Sequence, residues 1–374
     1  MKLYIKFIAL IITITNLLLL CSCKNNTSVI NELGNPTKKY YIDNFTARCI
    51  WDMEIFDGKL YIGNGDFDSN SGPTPVLYCN LDSLGDWKKE AMLSDEQIGR
   101  FLTVNGRLAI PGFDPRGNPK TGTYYQLENG VWNTYHCFAN SLHNFDLIEI
   151  DGKLFAGIGA PKGQTSIMMS ENGQDFINVA MYKNGQPIST SDNEYTRTYN
   201  FFIFKNTLYA TLYYKTPSTK KGVIELYRYE NGIFTFDNAW GKKLTFVGCK
   251  YLAPIRAKTV INDTLFISTG YLHYTTNMNE FKIIELPNNA QTYDLYVHDN
   301  VLYILAAFQT DGGYRTTIYS TTSENVDDFK CEIKFDYPVP PTSFALNDDS
   351  FFIAMGDCNT ESEQNGTVIQ IERK

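Results

Sequence analysis

Seven times along this 374-residue chain a hydrophobic stretch meets a two-residue turn and leaves through an aliphatic or aromatic pair. The clearest copies are Asp57-Gly58-Lys59-Leu60-Tyr61 and Asp151-Gly152-Lys153-Leu154-Phe155. Weaker ones begin at Asn105, Lys205, Asn262, Asp299 and Asp348, so the copies recur every 37 to 57 residues or so. Units of that size bury a hydrophobic face only by stacking on their neighbours, which makes the spacing that of propeller blades.

Each copy has an outer half as well, in which an aromatic strand turns into a second one, as in Tyr227-Arg228-Tyr229-Glu230-Asn231-Gly232-Ile233-Phe234. The Asp-Gly and Asn-Gly pairs supply the positive φ of tight hairpins, and the alternating Val, Ile, Leu, Tyr and Phe suit half-buried strands. Two hairpins give a four-stranded antiparallel blade. The predicted fold is therefore all-β, a seven-bladed β-propeller with blades at about 48–94, 99–140, 143–190, 196–246, 251–288, 291–337 and 341–374. The last interval holds only three strands, so an N-terminal strand near Tyr40 to Phe45 is expected to complete it and close the ring. Ser94-Asp95-Glu96-Gln97 reads as a single helical turn.

At the start, Lys2 and Lys6 precede an apolar run from Phe7 to Leu20, too short for a comfortable membrane span. The following Leu20-Cys21-Ser22-Cys23 resembles the lipobox of bacterial lipoproteins, in which a small residue precedes the lipid-bearing cysteine. The resemblance implies residues 1–22 as signal peptide, lipidation at Cys23 and a location in a bacterial cell envelope. Residues 23–39 are polar and without period, which predicts a flexible tether, and 40–374 is read as one propeller domain.

Formal net charge is −8, and −10 once Lys2 and Lys6 are removed. Nucleic acid needs a basic stripe, and the lysine pairs here are scattered among acids, so no nucleic-acid partner is expected. The six cysteines beyond Cys23 show no paired spacing, which predicts single thiols rather than a disulfide framework, and no zinc site. A monomer with no membrane contact other than its anchor follows.

Chemistry should collect where inner strands begin and where second strands pass to third, because both kinds of connection emerge on one face of the disc. That face brings forward Trp51, Asp52, Asp66, Asp68, Asp114, Arg116, His143, Asp146, Arg197, Tyr199, Arg256, Tyr293 and Asp294. Asp66, Asp114, His143, Asp146, Arg197 and Arg256 are expected to line one depression. Aromatic faces cover the C–H side of a sugar while carboxylates and guanidinium groups bond its hydroxyls, so the set suits a glycan or another polar ligand. Asp66, Asp68 and Asn70 stand at alternate positions and form a candidate calcium loop, although glycine falls one place late for an EF-hand. No cofactor is otherwise implied.

Ser170-Glu171-Asn172-Gly173-Gln174-Asp175-Phe176 resembles the Asp-box hairpin of sialidase-like propellers, and the repeats as a whole are kelch-like. For a sialidase the resemblance implies Arg197, Arg256 and Arg315 as a carboxylate clamp, with Asp52 or Asp66 as the acid. The family's early Arg-Ile-Pro motif is missing, and no nucleophile elbow, phosphate loop or HExxH pattern is present. The reading is thus a lipid-anchored propeller that binds a glycan or polar extracellular ligand, with binding preferred over catalysis and any catalysis expected to be glycoside hydrolysis. A glycoside hydrolase and a protein-docking scaffold stay open as alternatives.

Overall fold

The computed structural model describes residues 29–116, 121–139, 141, 143–160, 164–188, 196–215, 222–237, 255–322, 324, 326 and 328–373. The signal peptide, Cys21, Cys23 and Cys249 lie outside them. The chain is a β-propeller of antiparallel blades, and its one helical element among the described residues is the short turn Pro287–Asn289.

The expectation of seven separate blades is corrected, because five sheets are free-standing four-stranded blades. Their innermost strands are Asp52–Phe56, Leu102–Val104, Ala257–Ile261, Gln291–His298 and Pro341–Leu346. Among the described residues, the strands between Asn144 and Asp237 are joined into a single ten-stranded sheet. Two contacts fuse it. The end of Lys153–Ala160 pairs with Arg197 and Thr196, and Met181–Lys183 lies parallel to Ile233–Asp237. Hydrophobic periodicity counts hairpins but does not say where one sheet's hydrogen bonds stop, which is why the copies in sequence exceed the separate blades.

The turns form as their residues dictate. Both central residues have positive φ at Asp57-Gly58, Asn105-Gly106 and Asp151-Gly152, the geometry that matches the twist of the flanking strands. Ser94 to Gln97, read as a helical turn, is irregular, and Gln97 bridges to Gly65 and Phe113 instead.

Ring closure falls to different residues from those expected. Ile30–Gly34 pairs antiparallel with Thr367–Glu372, whereas Tyr40 to Phe45 form turns. Part of the stretch read as tether therefore belongs to the folded domain; Leu33 is 7% exposed and Thr37 is fully buried. Register places this strand across the thickness of the disc. Ile30 pairs with Ile371, which pairs with Phe351, which faces Leu346 beside the inner turn. Gly34 lies at the other end, where Val368, Ala354 and Ser343 are paired across the sheet.

The core lies between neighbouring sheets rather than in a single centre. Leu60, Ile62 and Leu77 of one blade pack on Phe352, Ala354 and Val368 of the next, and Ile353, Phe344 and Phe351 pack on Leu305, Ile318 and Phe335. Large flat side chains fill these seams, as Tyr61, Tyr124, Phe155, Phe201 and Phe266 show by being almost wholly buried.

Cys49, Cys79 and Cys137 are free thiols, while Cys331 is disulfide-bonded, a departure from the expectation of single thiols.

Candidate ligand-binding cavity

Where the inner strands begin, the disc opens into a cavity of about 770 Å³. Five expected residues line it: Trp51, Asp52, Arg256, Tyr293 and Asp294. They arrive there through a regularity in the repeat. Asp52, Asp146 and Asp294 each stand five residues before an inner turn, at Asp57, Asp151 and Asp299. Each accepts a backbone N–H from the next inner strand: Phe101 N–H to Asp52 Oδ2 at 2.5 Å, Phe201 N–H to Asp146 Oδ2 at 2.7 Å, and Phe344 N–H to Asp294 Oδ2 at 3.2 Å. The same carboxylates thus fasten neighbouring inner strands together and set the floor of the cavity.

One place earlier in the repeat stand Trp51, Phe145, Tyr199, Arg256 and Tyr293. In three of these strands the register slips, between Asn144 and Asp146, Thr198 and Asn200, and Thr292 and Asp294. A bulge re-aims the extra side chain, which here is Phe145, Tyr199 or Tyr293. Arg256 stacks on Tyr293 at 5.0 Å and donates to the Thr292 carbonyl.

Asp146 is 1% exposed and lies beneath the cavity, where Arg100 Nη1 at 3.2 Å and Lys258 Nζ at 2.7 Å converge on its carboxylate. Arg100, Lys258, Glu54 and Asn200 all line the cavity, and none was singled out from sequence. The signal was available: Arg100 and Asn200 occupy the same place before their turns as Asp52 does, and Lys258 is one residue off.

Burial governs the electrostatics. It raises the Asp52 carboxyl well above the usual carboxylate range, with Asp294 adding to the rise. Burial and the nearby Asp294 push Glu54 up to about 7, burial takes Asp294 to about 6, and it lowers Lys258 to about 8. Carboxyls and cations thus share one depression, in which burial makes Asp52, Glu54, Asp294 and Lys258 resist ionisation.

The other expected residues gather apart from this cavity, so the six-residue depression is not assembled as expected; Arg256 alone of the six lines it. His143 Nδ1 lies 3.3 Å from Asp114, and its ring stacks on Phe145 at 5.3 Å. Arg197 stands over Phe145 and donates to Tyr199 Oη at 3.2 Å. Burial, followed by the Arg197 charge, lowers His143 to about 3, so the ring is neutral and poorly suited to proton transfer. Arg116 donates to the Gly72 carbonyl and approaches Glu96 at 3.4 Å.

In the candidate calcium loop, Asp66 Oδ1 accepts the Asp68 N–H and the Asp66 N–H donates to Ser71 Oγ, an Asx turn closed by its own hydrogen bonds. Among the described residues, the group with metal-ligand geometry is instead His298, Asp299 and Asp348, at the inner-turn end of the disc.

The three arginines implied as a clamp are engaged separately, since Arg315 is held bidentate by Asp336 at 2.7 Å. The hairpin at Ser170 is organised by Asn172, whose Oδ1 accepts N–H groups from Gln174 and Asp175, and Thr275 to Phe281 repeats that arrangement around Asn277.

No protein-family model and no curated protein matches the chain. Among solved structures it is similar to the extracellular domain of a hybrid two-component system of B. thetaiotaomicron, at 9% identity and a TM-score of 0.52, covering 86% of this chain and 40% of that one. The propeller domain of the Trilobed protease from Pyrococcus furiosus follows at 9% identity and 0.49, covering 88% and 96%, and polysaccharide lyase Uly1 at 10% and 0.47, covering 88% and 90%. The chain spans less than half the length of the first of these. At such identities the likeness is one of fold, and the chain is a β-propeller by its own blades.

Proposed function

We propose that this propeller binds a glycan in the cavity at the mouth of its inner strands and is held to a cell envelope by lipid on Cys23. The observation that carries the reading is the composition of the cavity wall. Trp51, Tyr293 and Tyr314 offer flat apolar faces, while Arg100, Arg256 and Lys258 stand with Asp52, Glu54 and Asp294 around the same space. Such a mixture suits a ring with one C–H face and many hydroxyls. Similar folds occur in an extracellular domain and in a polysaccharide lyase, which is compatible with the reading without carrying it.

A glycan array with a parallel hydrolysis readout tests it. Binding without turnover is the expected outcome, and the absence of binding to any glycan would defeat it. A glycoside hydrolase is the second reading, favoured by one observation: Glu54 holds its proton up to about pH 7 beside other carboxyls, as a general acid must. Loss of turnover in Glu54→Gln with binding retained would select that reading.

A further inference from the structure

Arg100, Asn200 and Lys258 bring hydrogen-bond donors to the cavity wall. Lys258 Nζ uses one N–H on Asp146, and Arg100 reaches the same carboxylate through Nη1. Two cations therefore converge on one buried carboxylate at the cavity wall. Asn200 is 1% exposed and lines the same wall. Its Oδ1 lies 3.5 Å from Arg100 Nη1, which fixes the amide orientation because a guanidinium offers only donors. Nδ2 then points away from Arg100 and has no hydrogen-bond partner within the chain. An orphaned buried donor is costly unless a bound molecule satisfies it.

At the equivalent places in other repeats, Asp52 and Asp294 are acceptors, already engaged by the Phe101 and Phe344 N–H groups. The donors of Arg100, Asn200 and Lys258 thus share the floor with acceptors that are already engaged. We propose that the ligand is an acidic glycan, whose carboxylate or sulfate oxygens are received by Arg100, Asn200 and Lys258 while its ring lies against Trp51 and Tyr293. This rests on the cavity being a glycan site and adds the class of glycan. The raised affinity of Asp52 and Glu54 for protons is compatible with it, since neutral carboxyls do not repel an anion.

Full-length protein in detergent would be titrated calorimetrically with three tetrasaccharides: galacturonic acid, sulfated galactose and unmodified galactose. Alkylation of Cys358, whose thiol belongs to the cavity wall, reports occupancy. An acidic probe should bind at least about tenfold more tightly than the neutral one, a difference of about 1.4 kcal/mol, and should slow alkylation; which acidic probe is preferred identifies the anion. Asn200→Asp keeps the shape and the bond to Arg100 but replaces the orphaned donor with an acceptor. It should weaken acidic binding about tenfold, and more than it weakens any neutral binding. If that variant fails to fold, Asn200→Ala, which removes the donor together with the acceptor for Arg100, should still lower acidic affinity several-fold. Equal binding of neutral and acidic probes, or unchanged acidic affinity in these variants, overturns the acidic assignment while leaving the cavity a glycan site. Failure of all three probes to bind or to protect Cys358 overturns the glycan reading and the assignment with it.

Discussion

Lys205 adopts a backbone conformation that Asn, Asp or Gly fills at several equivalent turns. Its φ is 48°, a region disfavoured for a long side chain. Lys205→Asn is expected to raise stability by roughly 0.5 kcal/mol, read from the denaturant midpoint. Asp146 behaves in the opposite way. An exposed ligand-binding acid would tolerate replacement, but this carboxylate neutralises Arg100 and Lys258 while almost wholly buried. Asp146→Ala should cost about 3–5 kcal/mol, because both cations lose their partner in a dry site. An unchanged thermal midpoint would contradict that account. Glu54 contributes through pH. Its carboxyl titrates near 4.5 when exposed and at about 7 in the fold, so folding favours the protonated form. That stabilisation is complete below about pH 4.5 and is lost as pH rises through about 7. Glu54→Gln should therefore be the more stable protein at pH 8, by at most about 3 kcal/mol, with the difference shrinking towards pH 5.

At the level of strands, Ile30–Gly34 has the most to lose. It covers the outer edge of Thr367–Glu372, and without it that edge presents unpaired backbone to other chains. Leu33→Ala alone should cost about 2–3 kcal/mol, and protein that starts at Thr37 should aggregate on size-exclusion chromatography where protein starting at Val29 does not. The hairpins were legible in sequence because Asp57-Gly58 and its copies announce themselves by turn chemistry. The joining of Lys153–Ala160 to Arg197 and Thr196 was not, since those backbone hydrogen bonds carry no side-chain signature. The site was half legible for a related reason. Trp51, Asp52, Arg256, Tyr293 and Asp294 were found by locating strand entries, but Arg100, Asn200 and Lys258 required counting back from each turn. Bulges at Phe145, Tyr199 and Tyr293 also break the two-residue alternation by which a strand's faces are told apart.

For the molecule as a whole, the proposed attachment through Cys23 makes a direct expectation: Cys23→Ser should release the protein from membranes and abolish labelling by a palmitate analogue, while Cys21→Ser should leave both intact. The register of Ile30 then decides which way the disc looks. The chain enters at the level of the inner turns, and the cavity opens at the other end of the same strands. A leash of the few residues from Cys23 to Val29 reaches roughly 20 Å when extended, so the blunt side stays near the bilayer. A fluorophore at Asp57 should be quenched by nitroxide-bearing lipid headgroups more strongly than one at Asn359. With the proposed anchor in place, the bowl of the propeller would hang outward from its tether, open to molecules arriving from solution and turned away from the lipid.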